Sequence, residues 1–271
     1  MSEAMLQAIP LAIIASTPLL LAVQGELIVQ RSGIINLGIE GTLLAAAFGA
    51  AFFGVGGGIA AAIIVAALFG LMTITLRADQ IVTGTAINLL VAGLTGFAYR
   101  EMQMRGVANP KPIVDFISPL AWIVVPVILS VLLWQTTFGL RTRASGENPE
   151  AVLAAHLSPG RYRWCALLIE AVLAGLAGSH LALVLSTGFS ENMSAGRGFI
   201  ALAVVIFGRW RIAGAIAGSA LFGVTVALQY AMQASNVGVP YHVLLATPYL
   251  VTLLILCGVA GRVRAPEALG K

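Results

Sequence analysis

Residues 33–76 read GIINLGIEGTLLAAAFGAAFFGVGGGIAAAIIVAALFGLMTITL and contain one charged side chain, Glu40. A helix rises 1.5 Å per residue, so a hydrocarbon core of roughly 30 Å takes about 20 apolar residues. This stretch is too long for one crossing. The run Gly54-Val55-Gly56-Gly57-Gly58 interrupts it, which predicts one span over 33–53 and another over 59–76. The stretches are continuously apolar rather than alternating, so they read as helices and not as strands of a β-barrel.

The whole chain agrees. Of 271 residues 59% are hydrophobic and 10% are charged, and mean hydropathy is +0.97. A soluble globule of this size has too little polar side chain to cover its own surface. Disorder is excluded by composition and a disulfide scaffold by the presence of two cysteines. Cys165 and Cys257 lie in apolar stretches and are expected to be small buried hydrophobes. The fold class is all-α: a polytopic transmembrane helical bundle forming a single domain over 1–271.

Gaps between charges place the remaining spans at 4–23, 80–99, 116–140, 164–185, 212–232 and 242–261, with a short apolar piece at 198–208. That makes about eight to nine membrane segments, one of them short or broken. The opening MSEAMLQAIP carries no Lys or Arg. It lacks the basic flank of a signal peptide, so the first span is expected to stay as a helix. The segment 141–163 carries Arg141, Arg143, Arg161 and Arg163, and basic loops stay on the cytoplasmic side. Counting back places the N-terminus outside. The one basic cluster that this leaves outside is Arg100, Arg105 and Lys111. Net charge is +4, an excess that fits cytoplasmic loops rather than nucleic-acid binding. Gly214 and Gly218 form a GxxxG pair, which serves helix packing within the chain or between subunits.

Polar residues at membrane depth cost about 2.5–3.5 kcal/mol each when charged, so they face the bundle interior, a path or an interface. Glu40 is the clearest, with Asn36 four residues earlier on the same helix face. Gln80, Gly84 and Asn88 share another face with Thr95. Both sets read either as the lining of a solute path or as interhelical polar contacts. Glu170 reads as an ion-pair partner near Arg161 and Arg163. Glu191 and Asn192 are either solvated or at an outer vestibule. Catalytic chemistry has no support: His156, His180 and His242 lack metal-ligand spacing, and there is no G-x-S-x-G elbow or Walker A sequence. ATP, if it drives this protein, is hydrolysed by another chain.

In the basic loop, Asn148-Pro149 precedes EAVLAAHL. Asn is a good N-cap and Pro suits the first helical position, so a helix about two turns long is expected there. It reads as a docking element for a soluble partner or as a solvated loop helix.

GENPEAVLAA at 146–155 resembles the cytoplasmic coupling region of permease subunits of bacterial ABC importers. RSGIINLGIEGTLLAAAFGA at 31–50, ADQIVTGTAINLLVAGLTGF at 78–97 and NMSAGRGFIALAVVIFGRW at 192–210 resemble the nucleoside and simple-sugar branch of that family. This branch is related to the ribose and branched-chain amino acid permeases. The resemblance implies a permease half similar to that of the vitamin B12 importer. It further implies a second, non-identical permease, an ABC ATPase that is often a tandem cassette, and an extracytoplasmic substrate-binding protein. ATP and Mg²⁺ would belong to the ATPase, with no cofactor in this chain. Gly146, Glu147, Asn148, Pro149, Glu150 and His156 become the coupling residues. Asn36, Glu40 and Asn88 become candidates for the translocation path on the grounds of burial cost, and Asn192, at the outer vestibule, is counted with them. The family commonly has glycine where this chain has His156, and Asn-Pro where it has Arg211-Ile212. The competing readings are an ion-coupled secondary transporter, with Glu40 or Glu170 as the coupling site, and a membrane scaffold that moves no solute.

Overall fold

A computed structural model describes residues 3–105, 112–186, 188–234, 246–247, 250–251 and 265–270. Its elements are α1 (Glu3–Arg31), α2 (Ile39–Gly70), α3 (Gln80–Met104), α4 (Ile117–Pro119), α5 (Val125–Gln135), α6 (Thr137–Glu147), α7 (Pro149–Ala154), α8 (Pro159–His180), α9 (Arg197–Phe207) and α10 (Ile212–Ala234). Single wide turns extend α2 through Leu71–Thr75 and α8 through Leu181–Leu185, and another links α4 to α5. The described residues hold six helices long and apolar enough to cross a membrane, and no strand.

The break expected at Gly54–Gly58 falls at Gly54, whose φ of 69° and ψ of −172° leave the helical region. Glycine adopts that conformation without a side-chain penalty. The chain doubles back there. A Cβ added at Gly58 would lie 2.9 Å from the carbonyl oxygen of Ala46, and one at Gly57 would lie 2.7 Å from that of Gly49. In a straight helix Ala46 and Gly58 would be about 18 Å apart. The first arm, 39–53, is about 22 Å long, short of a full crossing.

α1, α8 and the two arms of α2 form the centre. Leu19, Leu20, Leu21, Ala22 and Val23 are all 0% exposed, so α1 is wrapped on every side. α8 meets α2 through small residues: a Cβ on Gly178 would lie 2.4 Å from the Ala46 side chain and 2.6 Å from the Leu43 carbonyl. α3 and α5, with the wide turn before α5, are peripheral and turn Leu94, Phe97, Ile123, Val127 and Ile128 outward. In a bilayer that surface meets lipid or another membrane subunit.

The helix ends sort into two faces. At one, Arg31 reaches Glu147 at 3.9 Å. There the amides of Ala268 and Gly270 donate to the carbonyls of Gly146 and Gly33 at 2.9 and 3.1 Å. At the other, the amide of Ile113 donates to the carbonyl of Leu183 at 3.2 Å. There Arg100 pairs with Glu191 at 2.7 Å, and Phe189 stacks edge-on against both Phe48 and Tyr99. The pairs Arg100–Glu191 and Arg105–Glu101 explain why two basic residues sit opposite the basic loop: each is neutralised in place. The Arg100 guanidinium holds the Glu191 carboxyl below its usual range through that hydrogen bond. Lys111 lies outside the described residues.

Several boundaries differ from the sequence reading. α1 does not stop at residue 23 but runs on to Arg31, burying Glu26 completely. The span read as 116–140 ends at Gln135, because Thr136 is extended (φ −113°, ψ 154°) and its hydroxyl caps a new helix at the Gly139 amide, 3.1 Å away. Cys165 is exposed on α8 rather than buried. The GxxxG pair packs within the chain, since added Cβ atoms on Gly214 and Gly218 would meet Gly208 and Val204 at 2.3 and 2.6 Å. Most of the run 242–261, with His242 and Cys257, lies outside the described residues.

Candidate functional site: a cavity and two buried networks

Three of the four path residues meet. A cavity of about 340 Å³ opens between α2, α3 and the segment leading into α9, and Glu40, Asn88 and Asn192 line it with Thr85, Ser194 and Phe199. Glu40 stands in the first turn of α2, and both of its carboxylate oxygens are used. Oε1 accepts from the Gly196 amide and Oε2 from the Gly198 amide, each at 2.7 Å. These amides open α9, whose capping position is a left-handed glycine (Gly196, φ 78°) with no side chain to serve as cap. Glu40 therefore supplies the acceptor from across the bundle, where the partial positive charge of a helix start favours an anion.

Asn88 is engaged in the same manner. Its Oδ1 accepts from the Gly41 amide at 2.8 Å and its Nδ2 donates to the Leu37 carbonyl at 2.8 Å, fixing the start of α2 against α3. Gly84, one turn before it, lets the backbones touch, since a Cβ there would lie 2.7 Å from the Gly38 amide nitrogen. Gln80 closes the same face by accepting from the Ile35 amide at 2.8 Å. Asn192 is exposed at φ 57°, a left-handed backbone that Asn tolerates better than most residues.

Asn36 lies elsewhere, in a second polar centre that the sequence reading missed. Glu26 and Glu170 are 0% and 1% exposed, and Asn36 bridges them. Its amide donates to Glu26 Oε1 at 3.2 Å and its Nδ2 to Glu170 Oε2 at 2.9 Å. Gln30 Nε2 donates to Glu26 Oε1 at 2.9 Å, and Trp210 Nε1 donates to Gln30 Oε1 at 2.7 Å. Glu170 is thus not paired with Arg161 or Arg163. It lies about 10 to 14 Å along α8 from these arginines and is held by Asn36, while Arg163 Nε donates to the Ser32 carbonyl at 3.3 Å. The signal for Glu26 was its spacing of four from Gln30 on a still-apolar helix.

A third network joins Asp115, Ser118 and His180. Ser118 Oγ and Asp115 Oδ1 both approach His180 Nε2, at 3.1 and 3.5 Å, and His180 Nδ1 is buried without a partner. A nucleophile relay needs the acid on one ring nitrogen and the serine on the other, so the three residue types tie α4 to α8 without forming a triad. Although burial works against it, hydrogen bonds from Ser118 and the neighbouring His180 hold the Asp115 carboxyl below its ordinary value.

At the opposite face α7 forms as its sequence directs. Asn148 Oδ1 accepts from the Ala151 amide at 3.0 Å and Pro149 occupies the first turn. Glu147 and Glu150 are exposed, and Gly146 is buried. The helix ends at His156, in left-handed conformation with φ 59°. A glycine at that position would relieve the strain of a Cβ in this region. His156→Gly is expected to raise thermal stability slightly, by about 0.5–1 kcal/mol, read by melting of the purified protein; a lower midpoint would show that the imidazole makes a needed contact. Beside α7 a groove of about 620 Å³ is lined by Arg77, Asp79, Pro149, Leu153 and Arg163.

A multi-helix membrane protein with a largely apolar cavity that holds a few polar groups, and a capped helix exposed at one face, has the build of a solute permease. Residues 8–259 match the family described as the branched-chain amino acid transport system permease component, and the chain belongs to that family. It is 33% identical to a nucleoside ABC transporter permease protein of Lactococcus lactis, over 73% of this chain and 70% of that protein. It is 31% identical to a guanosine ABC transporter permease protein of Bacillus subtilis, over 97% of this chain and 94% of that one. It is also 33% identical to a putative glucose ABC transporter permease protein of Haloferax volcanii, over 81% and 75%. No solved structure matches. The protein is a multi-pass permease of the inner membrane.

Proposed function

We propose that the chain is the membrane subunit of an ATP-driven importer for nucleosides, working with a separate ABC ATPase, a second permease and an extracytoplasmic binding protein. The observation that carries this reading is the convergence of Glu40, Asn88 and Asn192 on one cavity between α2, α3 and the α9 approach. Small-molecule sites have this form, a largely apolar concavity with a few placed polar groups. The nucleoside class rests on the likeness to a nucleoside permease over 73% of the chain and to a guanosine permease over 97% of it.

Gly146, Glu147, Asn148, Pro149, Glu150 and His156 form the proposed contact with the ATPase. Closing of ATP-bound cassettes moves α7, and the permease halves rock so that the cavity faces alternately out and in. ATP and Mg²⁺ act on the partner. Affinity for solute resides largely in the binding protein, so the cavity needs only shape and modest polarity.

Expression with the neighbouring genes, extraction in mild detergent and mass spectrometry of the purified material test this. Recovery with a stoichiometric ABC ATPase and a second permease, and ATP-dependent nucleoside uptake by the reconstituted complex, are the expected results. Recovery of the chain alone, moving solute in liposomes without ATP, would replace this reading with an ion-coupled carrier.

A further inference from the structure

We infer that Phe199 is the stacking surface for the base of a nucleoside in the cavity, with Ser194 as its polar partner, so that this pair sets the preference for nucleosides over free sugars; the inference rests on the importer reading above. Phe199 is 49% exposed, and its side chain forms part of the cavity wall two residues into α9. Leu44, Leu89 and Ala92 complete an apolar wall. Flat aromatic rings stack on such a side chain through their faces, whichever base they carry. A monosaccharide, ringed by hydroxyls, would need a matching ring of donors and acceptors, and most of the polar groups here are already engaged. Glu40 spends both oxygens on α9, Asn88 spends its amide on Leu37 and Gly41, and the Thr85 hydroxyl donates to the Ile81 carbonyl at 2.8 Å.

What is left is informative. Ser194 is 0% exposed, lines the cavity, and its Oγ has no hydrogen-bond partner. A buried hydroxyl without a partner costs free energy, and a polar edge of a solute held against Phe199 would satisfy it. The exposed amide of Asn192 stands on the same turn. The cavity thus offers one aromatic face, one unmet hydroxyl and one free amide. That donor set suits a nucleoside better than a hexose. The volume of about 340 Å³ lies at the small end of the roughly 300–1,000 Å³ typical of small-molecule sites.

The test uses the complete importer in cells or proteoliposomes, with radiolabelled adenosine, uridine and ribose as probes. Phe199→Leu keeps the apolar bulk and removes the π-face. It is expected to lower the maximal uptake rate of both nucleosides about tenfold or more, with KM set by the binding protein, while Phe199→Trp keeps uptake near wild type. Ser194→Ala is expected to lower the maximal rate a fewfold, and co-purification of each variant with its partners checks assembly. Nucleoside uptake by wild type with an unchanged maximal rate in assembled Phe199→Leu overturns the stacking role and leaves the importer reading standing. A wild-type complex that moves ribose and no nucleoside overturns both.

Discussion

Replacing Glu40 with alanine is expected to abolish solute uptake, and to do so by releasing α9 rather than by removing a solute ligand. Both carboxylate oxygens accept backbone amides at 2.7 Å, and hydrogen bonds to a charged acceptor are worth about 1.5–3 kcal/mol each. The alanine variant leaves the Gly198 amide buried without an acceptor and exposes the start of α9 to the cavity. α9 has 11 residues, too few to persist without packing and caps. A loss of about 2–4 kcal/mol in the local stability of 194–207 follows. Since α9 carries Phe199, the cavity wall goes with it. Glu40→Gln separates anchor from ligand. Its carbonyl oxygen still accepts one amide while its NH₂ opposes the other, so an anchoring role predicts intermediate uptake. A proton or ion site at Glu40 predicts that glutamine fails as completely as alanine. Hydrogen exchange at Gly198 and Ile200, measured with uptake, decides between them. Slow exchange and normal uptake in Glu40→Ala would refute the anchor.

Local chemistry made part of this site legible in the sequence. Asn148 and Pro149 cap α7 through atoms three residues apart, so a short window contains the whole argument. The Gly54 turn is equally local. Intramembrane polarity pointed to Asn36, Glu40 and Asn88 because an unpaired polar group in lipid is costly wherever it falls, whereas Asn192 read as solvated or at an outer vestibule. What it could not supply was the partner. The amides that engage Glu40 come from residues 156 and 158 positions away, and nothing in the spacing of 33–53 announces them. Glu26 was passed over because the first span was closed at residue 23, although LIVQ after Glu26 continues the apolar pattern into Arg31. Ser194 and Phe199 are an ordinary serine and an ordinary apolar helix residue until the segment 188–196 folds against α3.

The largest effect at the other face is expected from Gly146→Val, which should uncouple ATP hydrolysis from transport. Gly146 joins α6 to α7 and lies on the end of α1. An added Cβ would stand 2.3 Å from the Arg31 carbonyl oxygen and 3.0 Å from the Gly33 amide nitrogen. Both are backbone atoms that a rotamer change cannot move aside. The Gly146 carbonyl also accepts from Ala268 at 2.9 Å, so the tail is fastened to the same point. From here the contacts run inward without a gap. Arg31 donates to the Trp210 carbonyl at 2.7 Å, Trp210 to Gln30, Gln30 to Glu26, and Asn36 joins Glu26 to Glu170 on α8. Neighbours held this way move as one body, which is what a displacement at α7 needs in order to reach the central helices. By contrast, Arg31–Glu147 at 3.9 Å with Glu147 half exposed adds little to that grip. The half-exposed Glu147 and the exposed Glu150 therefore remain available for the proposed contact with the ATPase. In Gly146→Val the fit between α7 and α1 is lost, and solute moved per ATP is expected to fall about tenfold or more, equivalent to about 1.4 kcal/mol of coupling. The double variant Glu147→Lys with Glu150→Lys tests the outward half of the same connection without touching the packing. It should reduce ATPase binding while the chain still inserts. Wild-type transport per ATP in Gly146→Val would show that force enters the bundle elsewhere, and the groove between α7 and the 76–79 turn would be the place to look for it.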